Sequence, residues 1–147
     1  MRGWIFAALL AAGCMSAPPQ EQAQAQTGSV AAPVPDEVAV RIGVEQNGQT
    51  VEVPAGASFA ISLVGVPTAG YRWMVVNKPD FVSDVSEATG PTTEAQRRPG
   101  FVGGSHWETF VLKADSAGEG DVRLDQRRPW ESAAPPNASF TVHIVSR

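Results

Sequence analysis

Three short stretches hold the residues best placed to do chemistry, and that chemistry is recognition. They are Val66-Pro67-Thr68-Ala69-Gly70-Tyr71, Pro99-Gly100-Phe101-Val102-Gly103-Gly104 and Arg128-Pro129-Trp130. Each joins backbone punctuation to an aromatic residue of the kind that ordinarily seeks a core. Pro67 fixes φ and lacks an N–H donor, and Gly70 can take angles closed to other residues, so the first stretch can form a stiff wedge. Stiff loops carrying rigid aromatic side chains lose little entropy on binding.

Each stretch also has a plainer reading. Pro67 and Gly70 can simply make a turn between two strands. Trp130 and Phe101 can either face a partner or pack at the end of the fold. Tyr71 and Trp73 share strand parity with Val75, which assigns both to the core, with Tyr71 at its rim. Arg97, Arg98, Arg127 and Arg128 cluster in or beside two of the loops. There they can steer an acidic partner, remain solvated, or, for Arg128, hold the loop's own carbonyls.

Catalysis has little to draw on. His106 and His143 lie in strand-like sequence with no Ser or Cys nucleophile in a fitting motif, and two His without clustered carboxylates make a poor zinc set. No metal, cofactor or catalytic residue is expected. The net charge is −4, with no polybasic stripe, which argues against nucleic acid as a partner.

The N-terminus reads as an export signal. Arg2 supplies a minimal charged region, and Trp4 to Gly13 form an apolar run too short to span a bilayer. Two processing sites compete within residues 1–25. Leu10-Ala11-Ala12-Gly13-Cys14 resembles a lipobox, in which Cys14 is acylated and becomes a membrane anchor. Ala23-Gln24-Ala25 is an ordinary signal-peptidase site that would release the chain from Gln26. The expected location is extracytoplasmic, periplasmic or cell envelope, with a lipid anchor at Cys14 or secretion after Ala25. Cys14 is the only cysteine, so the folded part has no disulfide. Residues 26–35 are poor in large apolar side chains and read as a disordered linker. Residues 36–147 suffice for one domain, expected to be monomeric.

In that domain the apolar period is two. Val38, Val40, Ile42 and Val44 alternate with Ala39, Arg41, Gly43 and Glu45, and Asn47-Gly48 reverses the chain. Val51 and Val53 precede the break at Pro54-Ala55-Gly56, after which Phe59, Ile61 and Leu63 line one face. Tyr71 to Val75, the mixed stretch Phe81 to Ala88, Ser105 to Ala114, Val122 to Leu124 and Phe140 to Ile144 follow. Asp115 to Gly120 reads as a turn. Short strands at this spacing without helices predict an all-β, immunoglobulin-like antiparallel sandwich. If successive strands are antiparallel, the connections 65–70, 89–104 and 128–137 share one end, and 77–80 and 115–120 share the other.

At these loops the chain resembles the chagasin-like family of cysteine protease inhibitors, over residues 36–147. The family's first motif is Asn-Pro-Thr-Thr-Gly-Tyr; Pro67, Thr68, Gly70 and Tyr71 match it, followed by Arg72-Trp73, while Val66 and Ala69 replace Asn and Thr. The second, Gly-x-Gly-Gly, is met by Gly103 and Gly104, with Phe101 where the first Gly belongs unless Gly100 fills it across an extra residue. The third is intact as Arg128, Pro129 and Trp130. The resemblance implies a reversible inhibitor of papain-like cysteine proteases whose three loops occupy the active-site cleft. An envelope binding module for a protein or glycan, without inhibition, is the alternative that the substitutions at Val66 and Ala69 and the irregular glycines leave open.

Overall fold

The computed structural model describes residues 28–147; the export signal, both processing sites and Cys14 lie outside them. The alternating stretches become eight strands: β1 Val40–Ile42, β2 Thr50–Val53, β3 Ser58–Gly65, β4 Arg72–Asn77, β5 Val82–Pro91, β6 His106–Ala114, β7 Gly118–Arg127 and β8 Ala138–Ser146. They form two four-stranded sheets, in the orders β1-β3-β6-β5 and β2-β8-β7-β4. The inward residues of each strand meet between the sheets. Phe59, Ile61, Leu63, Phe110, Leu112 and Ala114 from one side pack against Val122, Leu124, Phe140, Val142 and Ile144 from the other, all nearly inaccessible. This is the expected sandwich, and its apolar interior is the main source of stability.

Several local features depart from the alternation. β1 and β2 pair parallel with β3 and β8, because the chain crosses between the sheets where a hairpin was expected. β1 ends at Ile42 because the next amide, of Gly43, donates to Gln46 Oε1 at 2.7 Å and the chain turns into a single 3₁₀ turn. β5 carries a bulge between Asp84 and Ser86, which shifts the phase of the alternation and accounts for its mixed faces. Gly118 and Gly120, expected in a turn, lie within β7. A Cβ there would come within 2.6 Å of the Phe81 ring and 2.9 Å of Pro79, so their bareness serves packing.

Residues 28–35, part of the stretch read as linker, run along the outer face of the first sheet. Val34 joins Val38, Ala60 and Val111 in a small apolar cluster, and Pro33 lies over Gly90. The indole N–H of Trp107 donates to the Val30 carbonyl at 2.7 Å.

Register fixes what the fold does for the loops. Gly65 and Pro91 both pair with His106, so β3 and β5 end where β6 begins. In the other sheet Arg72 pairs with Arg127, and Gln126 with Ala138. Connections 66–71, 92–105 and 128–137 therefore leave the sandwich at one end, and 78–81 and 115–117 at the other, as strand parity predicts.

Candidate functional site

The first loop is a wedge built by two residues. Pro67 opens a 3₁₀ turn, Pro67–Ala69, with φ already set, and Gly70 closes it at φ 80° and donates its N–H to the Pro67 carbonyl at 2.9 Å. A bridge between Val66 and Tyr71 ties the stem. Thr68 and Ala69 are left exposed at the tip.

The third loop grips the first. Arg128 Nε donates to the Ala69 carbonyl at 3.1 Å, its guanidinium lies 4.6 Å from the Tyr71 ring centroid, and Nη1 reaches Glu131 Oε1 at 3.1 Å. Stacking on a ring while bonding a carbonyl needs a planar, multiply donating cation, which is an arginine property. The outer rim of the Trp130 ring adjoins Gly70, where any Cβ would approach its Cη2 to 2.5 Å. Yet Trp130 is 70% exposed, which places it on the surface and not in the end of the core. Pro129 is exposed beside it.

The second loop stands separately. From Pro91 the chain makes a 3₁₀ turn, Glu94–Arg97, then a tight turn in which the Phe101 amide donates to the Arg98 carbonyl. Gly100, Gly103 and Gly104 all have φ between 82° and 89°, so each sits in the left-handed region that Phe101 could not occupy cheaply. Phe101 is 47% exposed and Val102 89% exposed at the tip. Of the four arginines, Arg97 pairs with Glu94 and Arg127 with Asp125, Arg128 is engaged as above, and Arg98 is exposed.

Two residues beneath the loops were not singled out by sequence reasoning. Glu108, in phase with Phe110 and Leu112, points into the sandwich under the first loop and is 4% exposed. Its Oε2 accepts the Trp73 backbone N–H at 3.1 Å and lies 3.9 Å from Arg72 Nε, while Oε1 has no partner. Burial pushes this carboxyl above the usual range, more than the Trp73 amide and Arg72 pull it down. A side chain at Gly65 would displace this carboxylate, since a Cβ there would collide with Oε1. A lone acid at an inward position was the available signal. The other residue, Gln96, lies at the neck of the second loop.

Trp73 itself donates its indole N–H to the Val64 carbonyl at 3.0 Å and packs against the core, and Tyr71 lies half-buried at the rim. His106 and His143 sit on different sheets, the latter bonded to Asp121. Among the described residues no group of three or more His, Cys, Asp or Glu converges as a metal site.

With all three loops at one end, the family model described as chagasin family peptidase inhibitor I42 matches residues 52–144, a span that contains every one of them. The chain belongs to the chagasin family of peptidase inhibitors. It is therefore an inhibitor and not an enzyme. It is 32% identical over 106 residues to Amoebiasin-1 of Entamoeba histolytica, covering 68% of this chain and 92% of that protein. The fold is similar to the crystal structure of the cysteine protease inhibitor EhICP2 from Entamoeba histolytica, with a TM-score of 0.60 at 21% identity, covering 74% of this chain and 95% of that one. It is also similar to the solution structure of Amebosin, with a TM-score of 0.57 at 26% identity, covering 74% and 97%. The matched span runs through the irregular glycine loop.

Proposed function

We propose that this chagasin-family chain reversibly inhibits papain-like cysteine proteases by seating its loop end in their active-site cleft. The first loop, Pro67 to Tyr71, enters toward the catalytic residues. Gly100, Phe101, Val102, Gly103 and Gly104 contact one side of the cleft, and Arg128, Pro129 and Trp130 the other. The observation that carries this reading is the mutual bracing of the first and third loops. Because Arg128 already occupies the Ala69 carbonyl, an exposed peptide at the tip of the wedge is held by the inhibitor's own cation. A protease must polarise a scissile carbonyl with its own donors, in a near-attack geometry. A carbonyl held elsewhere, on a loop that Pro67 and Gly70 keep stiff, meets neither condition, so the wedge fills the cleft without being cut.

Phe101, Val102 and Trp130 are exposed apolar side chains on the two loops beside the wedge, and Trp130 is of the residue type most enriched at interface hot spots. The export signal puts this activity outside the cytoplasm, with Cys14 as the lipid attachment. The test is titration of papain and of a cathepsin with purified protein from Gln26 onward. Saturable, reversible loss of activity, competitive with substrate, is expected. A folded sample that leaves several such enzymes active at micromolar concentration would overturn the proposal.

A further inference from the structure

Loop two is steadied by a device that the other loops lack. The first and third loops brace each other through Arg128 and Trp130. Residues 92–105 instead close on Gln96. Its Oε1 accepts the Thr92 amide at 2.7 Å, the Thr93 amide at 3.0 Å and the Thr92 hydroxyl at 3.1 Å. Its Nε2 donates to the Ser105 carbonyl at 2.6 Å, across the neck of the loop. One side chain thus fastens the departing strand to the returning one. It also lies where a Cβ on Gly104 would meet it at 2.9 Å, so a side chain there would crowd the clamp as well as strain the left-handed backbone.

A second fastening comes from the far end of the sequence. The Val30 amide donates to the Thr92 carbonyl at 2.9 Å, the Glu94 amide donates to the Gly28 carbonyl at 3.0 Å, and Ser29 and Thr93 form an antiparallel bridge. Val30 is fixed in turn by the Trp107 indole on its carbonyl. Residues 28–30 are therefore an extended arm bridged to the root of loop two, and they lie outside the residues 52–144 that match the family.

We infer that Gln96 and the arm 28–30 together position loop two, holding Phe101 and Val102 ready for a partner, so that the arm is a working part of the inhibitor. This rests on the inhibition proposed above. Fixing both strands of the neck removes freedom that the tip would otherwise surrender on binding, and it acts on affinity without touching the partner.

The experiment compares full-length wild type with Gln96→Ala, Gln96→Glu and Val30→Pro, which deletes the one amide that reaches Thr92. Amide hydrogen exchange across 98–103 and inhibition of papain are measured on the same samples. Gln96→Ala and Val30→Pro are expected to speed exchange at the tip and to weaken inhibition by about tenfold each, with the unfolding midpoint nearly unchanged. Gln96→Glu keeps the acceptor for the two amides but loses the donor to Ser105, and should fall between. Unaltered tip exchange in both Gln96→Ala and Val30→Pro, or faster exchange with unchanged inhibition, would refute the role. If wild type inhibits nothing, the functional proposal falls, and the exchange data alone decide whether the clamp exists.

Discussion

Gly70 and Trp130 occupy adjoining space so closely that a Cβ on the glycine would stand 2.5 Å from the indole Cη2. The wedge and its flanking aromatic are thus one fitted unit, and they make separable predictions. Trp130→Ala should weaken protease binding by about 1–3 kcal/mol. Because the side chain is 70% exposed, the thermal midpoint should hardly move. Gly70→Ala combines a left-handed φ with the collision, and should lose about 1–2 kcal/mol of stability as well as affinity. Equal stability losses in both variants would return Trp130 to the core.

Arg128→Lys keeps the charge but cannot both lie flat on Tyr71 and bond the Ala69 carbonyl. Freeing that carbonyl should turn the wedge into a substrate. Prolonged incubation with papain, followed by mass spectrometry, should reveal cleavage in residues 66–71 of the variant and none in wild type. An intact variant would show that Pro67 and Gly70 suffice.

Glu108 and Asp125 should respond to pH with opposite signs. Burial raises the folded-state pKa of Glu108 above its reference of 4.5, so ionising it penalises the fold. The destabilisation is absent below the unfolded value and grows as pH rises through the folded one. Glu108→Gln should therefore match wild type in acid and exceed it at neutral pH, as read by thermal midpoints. Burial alone would raise Asp125 too, but the Ser139 hydroxyl, Arg123 and Arg127 outweigh it and depress the carboxyl below its reference of 3.8. Its contribution is present above that reference and is lost as pH falls through the folded value. Asp125→Asn should cost stability at neutral pH and progressively less in strong acid. A pH-independent difference in either variant would contradict these assignments.

Cys14→Ser should move the protein from the membrane to the soluble extracytoplasmic fraction. Unchanged fractionation, or a mature chain beginning at Gln26, would reject acylation at Cys14.

The sandwich was legible because period-two alternation in β3, β6 and β8 is strong, and parity alone placed the loops at one end. What escaped notice was non-local. Gly118 and Gly120 read as a turn because glycine is ordinary punctuation, and only the rings of Phe81 and Pro79 reveal them as strand. The bulge in β5 broke a pattern that sequence reading takes to be unbroken. The first-loop motif was visible, whereas its brace was not, since Arg128 reaches across 59 positions to Ala69. Gln96 carried only a local signal, the capping-box spacing from Thr93, which says nothing of its reach across the neck to Ser105.

The arm at 28–30 also decides how the molecule can be held. It joins the sandwich at the loop end, while β8 runs away from that end and finishes beside β2, with the Arg147 carbonyl accepting the Ala55 amide. If Cys14 bears a lipid, the stretch from Cys14 to Gly28 reaches at most about 50 Å when fully drawn out. The tether would then leave from the loop end and keep that end within about the same distance of the membrane that carries it. A capture surface built through Arg147 would instead leave the loops facing outward, open to proteases of any size.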